Sequence, residues 1–179
     1  MDIYKLNFTI LELEIFSFLC MHAGEKFSQR EMAKFLNVSP TAVANSVGGL
    51  TEKNLVTKEK TKTINFISLN RDNPKAAALK RIENQKQLYL SGFSDFLEET
   101  LAGATIIVFG SYACGEDTKT SDIDIAVIGR KNKTINVEPF EKMLSRTINI
   151  NFYDSWKDIQ RNLRNNILNG IILHGSVDL

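Results

Sequence analysis

The spacing of apolar and polar positions changes character along this chain, and each change marks an element. Phe8 to Leu19 is a helix-length, apolar-rich segment stopped by Gly24, which predicts a core helix. Ser28 precedes Gln29 to Leu36 and has Glu31 three residues on, a capping box at the start of a short amphipathic helix. Ser39-Pro40 then supplies an N-cap followed by proline at the first helical position, and a third helix runs on through Thr41 to Leu50. From Leu55 to Leu69 two alternating segments flank a lysine-rich tip, the pattern of a β-hairpin.

Beyond the hairpin the period is helical again. Asn73-Pro74 breaks the chain, and Pro74 to about Leu101 predicts one long helix with Leu79, Ile82, Tyr89, Phe93 and Phe96 on a shared stripe. That stripe has to be covered, either by one of the chain's own domains or by its copy in a homodimer. Ala104 to Phe109 is a short β-branched run of buried-strand length ended by Gly110, and Asp122-Ile123-Asp124 opens a second such run. In Thr147 to Tyr153, alternation puts Ile148, Ile150 and Phe152 on one face and Asn149 and Asn151 on the other. The organisation expected is a helix-hairpin domain over residues 1–72, a linker helix over 73–100 and a second domain over 101–179, an α/β (α+β) protein overall.

The chemistry concentrates around Gly110-Ser111 and Asp122-Ile123-Asp124. Gly110 ends a strand where a side chain would block close approach, and Ser111 opens a helical turn whose free N–H groups and hydroxyl suit the β and γ oxygens of a nucleoside triphosphate. Asp122 and Asp124 are two apart and so share a strand face, with Ile123 and Ile125 on the core face. The connection from Ser111 to Ser121 is short for a parallel crossover, so an antiparallel return brings the carboxylates beside Gly110 and Ser111. Mg²⁺ takes hard oxygen ligands, commonly one or two carboxylates plus substrate phosphates, which is what this half-site offers.

The stretch GSYACGEDTKTSDIDIAV resembles the signature of the minimal nucleotidyltransferases of the DNA polymerase β superfamily. The resemblance covers roughly residues 100 to 175, closing with Asn169 to Gly175 as a helix end and last short strand, and implies a small mixed sheet flanked by helices. It also implies that Gly110 and Ser111 hold the triphosphate and that Asp122 and Asp124 hold Mg²⁺ or Mn²⁺ as the catalytic carboxylates. The reaction implied is transfer of a nucleoside monophosphate, AMP from ATP by preference, with release of pyrophosphate. Such domains usually carry a third carboxylate on the next strand. Here that strand offers Asn149 and Asn151, which bear no charge and cannot act as a general base. Alternation allows either as the third-ligand position, and the reading favours Asn151. Glu116, Asp117 and Asp154 are alternative carboxylates, each otherwise read as a solvated loop or capping residue. The chain is therefore expected to be either an active transferase or a degenerate domain that only senses nucleotide. Similar minimal enzymes modify HEPN-type toxins, which makes a protein hydroxyl the candidate acceptor.

The N-terminal segment SQREMAKFLNVSPTAVANSVGGLTEKNLV resembles the winged-helix transcriptional regulators over residues 5 to 70. By that resemblance the helix from Pro40 enters the major groove of duplex DNA, with Ser39, Thr41, Asn45 and Ser46 near the bases and Lys58, Lys60 and Lys62 on phosphates from the wing. Charge agrees, since residues 26 to 62 hold seven Lys or Arg against three Asp or Glu, whereas the whole chain is +1. The recognition helix lacks Arg, so base readout would rest on Asn45, Ser46 and Thr41.

Composition narrows the class without naming it. The 179 residues are 43% hydrophobic and 24% charged, ordinary for a globular protein, with no repeat and no apolar run of membrane-spanning length. No signal-peptide pattern opens the sequence, so the cytoplasm is the expected compartment. Cys20 and Cys114 lack zinc-type spacing and are expected to be reduced thiols, and His22 and His174 to be packing or surface residues.

Overall fold

The computed structural model describes residues 8–61 and 64–178, and the chain divides into two compact units, residues 1–80 and 81–179. The first unit contains α1 (Ile10–Met21), β1 (Phe27–Ser28), α2 (Gln29–Phe35), α3 (Pro40–Glu52), β2 (Val56–Lys60) and β3 (Asn65–Leu69). Its strands form an antiparallel sheet in the order β1-β3-β2, the topology of a winged helix-turn-helix. The Ser28–Glu31 capping box and the Ser39 N-cap both form, with Ser39 Oγ accepting from the Ala42 N–H at 3.1 Å. Between α2 and α3 the chain turns tightly at Asn37, which sits at φ +54, a left-handed conformation that Asn tolerates better than most residues.

A further capping box opens α1. Thr9 Oγ1 accepts from the Glu12 N–H, and Glu12 Oε2 accepts from the Thr9 N–H at 2.7 Å. Glu12 also meets Lys53 at 3.0 Å. Burial opposes its ionisation, but the Thr9 N–H and the Lys53 ammonium together hold its carboxyl below the ordinary range. Around these caps Ile15, Leu19, Met32, Val43, Val47, Leu50, Leu55 and Ile67 are almost fully buried in one core. Each such side chain contributes about 1.5–3 kcal/mol by leaving water.

The stretch expected to be one long helix is two, α4 (Pro74–Leu90) and α5 (Phe93–Thr100). Gly92 separates them at φ +73, a conformation that no α-helix can continue through. The expected apolar stripe also fails in part. Leu79, Phe93 and Phe96 pack inward, but Ile82 and Tyr89 are 60% and 44% exposed while Asn84 and Leu88 are buried in the second unit. Asn84 is drawn in by buried polar partners, which apolar periodicity does not register.

The second unit continues with β4 (Thr105–Phe109), α6 (Gly110–Cys114), β5 (Ile123–Ile128), α7 (Glu138–Leu144), β6 (Ile148–Tyr153), α8 (Arg161–Leu168) and β7 (Ile171–His174). Its sheet has the order β6-β5-β4-β7, with β5 and β6 parallel and the other pairs antiparallel. Ile106, Val108, Ile123, Ile125 and Val127 face one core, where Phe93, Leu97 and Tyr112 pack. Ile107, Phe109, Ala126 and Ile128 face a second, closed by Trp156, Ile159 and Ile167. The face bearing Asp124 is therefore polar only at the start of β5, and from Ala126 onward it too is core. Among the described residues, no helix is long and apolar enough to cross a membrane.

Candidate functional site

The short return from α6 to β5 is antiparallel to β4, and its register pairs Phe109 with Asp124. That pairing brings the strand end, the turn and the carboxylates together. Gly110 lies at φ +73, which favours glycine, and a β-carbon there would stand 3.0 Å from Asp124 Oδ2, tight enough that the carboxylate would have to give way. The N-cap residue of α6, Phe109, makes no side-chain capping hydrogen bond, and Ser111 is exposed at its first turn. Asp122 is exposed and Asp124 half-buried.

The parallel register of β5 and β6 sets Asn149 opposite Asp124 and Asn151 opposite Ala126. Asn149 is accordingly the residue that meets the carboxylates: its Nδ2 donates to Asp122 Oδ2 at 3.1 Å and to Asp124 Oδ1 at 3.3 Å. The preference for Asn151 does not match this geometry, because alternation alone could not say which step of β6 lies beside Asp124. Asp154 follows Tyr153 at the far end of β6, about 16 Å along the strand from Asn149.

Asp117 is neither a solvated loop residue nor close kin to the exposed carboxylates. It is 1% exposed, accepts from Asn84 Nδ2 at 2.7 Å and lies 3.6 Å from the Arg146 guanidinium. The Asn84 amide also donates to Tyr112 O at 2.8 Å, and the Tyr112 hydroxyl donates to Asn84 O at 3.2 Å. Burial, with the Asp117 charge beside it, pushes the Tyr112 hydroxyl well above the ordinary tyrosine range. This cluster fastens α6 and the loop after it to the segment entering β6, where the Ile123 N–H donates to Thr147 O at 2.8 Å. Two halves of the site, Gly110-Ser111 and Asn149, are thus held to one frame. Sequence reasoning passed over Asn84 and Arg146, which lie 33 and 29 positions from Asp117 and carry no local motif.

The donor set can be judged against a divalent cation. Among the described residues no group of three or more His, Cys, Asp or Glu is arranged to hold a metal in a closed cage. Two carboxylates converging on one point beside an open backbone turn do fit a cation whose remaining ligands are phosphate oxygens and water.

Comparison with protein families agrees with the fold. A family described as Nucleotidyltransferase domain matches residues 90–174, and the MarR family matches residues 6–63. The chain is a winged helix joined to a nucleotidyltransferase domain. Searches of curated proteins and of solved structures found no match.

On the winged helix, Thr41 and Asn45 are exposed one turn apart on α3, Gly48 continues that face, and Ser46 is half-buried. Ser39 is exposed at the N-cap. Lys58 and Lys60 extend from the hairpin face that carries Val56 into the core, while Glu59 on the other face pairs with Lys26. Pairing Glu59 elsewhere leaves the Lys58–Lys60 side of the wing cationic. Lys62 lies outside the described residues. Cys20 is buried and Cys114 exposed. His22 Nδ1 donates to Phe18 O at 2.9 Å, and His174 lies between Ser94 Oγ at 2.8 Å and Glu98 at 3.1 Å.

Proposed function

We propose that the C-terminal domain binds a nucleoside triphosphate, ATP by preference, together with Mg²⁺ or Mn²⁺, and transfers a nucleoside monophosphate to a hydroxyl acceptor. The observation that carries this reading is the convergence of Asp122 and Asp124 on one point beside Gly110. Gly110 and the first-turn N–H groups of α6 would receive phosphate oxygens, and Asp122 and Asp124 would hold the cation against them. That cation supplies charge neutralisation to the triphosphate and to departing pyrophosphate. Ser111 adds a hydroxyl at the same turn. The N-terminal domain binds duplex DNA, with Thr41, Asn45 and Ser46 toward the bases and Lys58, Lys60 and Lys62 on phosphates. Paired half-sites would call for a homodimer.

Asn149 favours a second reading. A neutral amide stands beside both carboxylates, where it can neither add charge nor take the acceptor's proton. In that reading the domain binds nucleotide as a sensor and the winged helix reports it on DNA. If transfer does occur, a protein hydroxyl, as on a HEPN-type toxin, is the acceptor class the family resemblance suggests.

Calorimetric titration with ATP, CTP, GTP and UTP, each with Mg²⁺ and with chelator, tests the shared core of both readings. Binding is expected only with the cation. Asp122→Asn combined with Asp124→Asn should abolish binding at unchanged melting temperature, and equal binding by the double variant would remove this site from consideration.

A further inference from the structure

We propose that Asn149 makes cation binding conditional on the nucleotide: the domain takes its divalent cation as the metal–triphosphate chelate and holds no standing cation without it. This rests on the nucleotide reading of the site and adds to it an order of assembly.

The geometry begins with strand register. Asn149 is the β6 residue paired with Asp124, and its single side-chain nitrogen donates to a carboxylate oxygen of Asp122 at 3.1 Å and of Asp124 at 3.3 Å. A carboxylate only accepts, so the amide must present its NH₂ and turn its carbonyl oxygen away. The partial positive charge of that NH₂ sits between two negative groups that otherwise repel each other. The two carboxylates are thus bridged by a neutral donor.

A free cation that took Asp122 Oδ2 and Asp124 Oδ1 as its ligands would displace both of those hydrogen bonds. In return it would gain two carboxylates, one of them exposed to water, and would lose part of a hydration shell that Mg²⁺ gives up reluctantly. A cation already chelated by phosphate has made part of that exchange, and brings with it the negative oxygens that two aspartates and an amide lack. An aspartate at position 149 would change the balance in two ways. It would remove the bridging donor, and it would set three carboxylates around one point, where a bare cation relieves their repulsion.

The full-length protein should be titrated with Mn²⁺ alone and followed by electron paramagnetic resonance of free Mn²⁺, for wild type, Asn149→Asp and Asn149→Ala. Melting temperatures are read in parallel. Wild type is expected to leave Mn²⁺ free at concentrations where Asn149→Asp binds one equivalent, an affinity difference of at least about tenfold. Mn²⁺ alone should raise the melting temperature of Asn149→Asp and not of wild type. Asn149→Ala, which removes the amide without adding charge, keeps the test decisive should Asn149→Asp fail to fold: it should bind Mn²⁺ more tightly than wild type, because no donor has to be displaced. Wild type binding Mn²⁺ alone as tightly as either variant would overturn the proposal. A separate titration of wild type with Mn²⁺ and a non-hydrolysable ATP analogue distinguishes the two levels. Absence of any binding there sinks the nucleotide reading, whereas the Mn²⁺-only comparison decides the role of Asn149.

Discussion

Gly110 and Asp124 stand so close that any side chain on Gly110 would press on the carboxylate, its β-carbon 3.0 Å from Oδ2. Gly110→Ala should therefore act twice. The left-handed backbone at φ +73 costs alanine about 1–2 kcal/mol, and the displaced Asp124 should weaken metal–nucleotide affinity by roughly tenfold or more. Gly92→Ala is the matched control, since Gly92 has the same φ +73 but nothing within 4 Å of its added β-carbon. Thermal melts should fall for both variants, and nucleotide titrations should separate them.

Arg146→Met tests the frame beneath the site. It leaves the Asp117 carboxylate buried without its guanidinium, a change that typically costs about 3–5 kcal/mol. Adding Asp117→Asn removes the stranded charge and should recover much of the loss. Denaturant unfolding of the single and double variants gives the coupling, and additive losses would show that the pair acts independently.

Tyr112 predicts an alkaline signature. Its folded ionisation is raised by burial, so the protonated hydroxyl is favoured in the native state. That contribution is complete below the ordinary tyrosine range and is lost as pH rises above it, because the unfolded chain then releases a proton that the folded one keeps. Tyr112→Phe should flatten this loss of stability above about pH 10. It should also cost about 1 kcal/mol at neutral pH for the hydrogen bond to Asn84 O. Unfolding free energies at neutral and alkaline pH check both.

Local signals were legible in the sequence wherever a few consecutive residues decide the structure. Ser28 with Glu31, Ser39 before Pro40, and Gly110 between a strand and a turn each specify their element within four positions. The Thr9–Glu12 capping box is equally local, but it hides inside an apolar segment whose spacing extends the helix back to Phe8. Gly92 was a readable break too, overridden by the apolar residues on either side of it. What could not be read was pairing across distance. Whether Asn149 or Asn151 meets Asp124 depends on the offset between two parallel strands, and alternation is blind to an offset of two residues. Asn84 and Arg146 find Asp117 only through the fold, so the face of α4 that is buried, with Asn84 and Leu88, is not the one that apolar spacing selects through Ile82 and Tyr89.

The wing and α3 should separate in DNA binding. Lys58→Ala and Lys60→Ala should weaken binding across all sequences and each reduce the salt slope by about one. Asn45→Ala, on the exposed face of α3, should alter sequence preference instead. Electrophoretic shifts of the full chain on genomic fragments at two salt concentrations measure both. No shift at low salt would leave the winged helix as a protein-interaction module.

Chemistry is where Asn149 matters most. Its amide lies beside both aspartates but cannot accept the acceptor hydroxyl's proton, and loss of a general base typically costs about 10²- to 10⁴-fold in rate. Wild type should therefore bind metal–triphosphate yet transfer slowly. Asn149→Asp should accelerate transfer of labelled AMP to a protein acceptor by at least about tenfold. Asn151→Asp should not, because its neighbour on β5 is Ala126 and its new charge would stand a full strand step from Asp124. The comparison also divides the two functional readings. A rate gained by Asn149→Asp alone identifies a transferase site with its base removed, whereas three proteins that all bind nucleotide and all fail to transfer would make the domain a sensor. Fast wild-type turnover that neither substitution improves, and that falls when Glu116 is replaced instead, would move the base to the loop after α6.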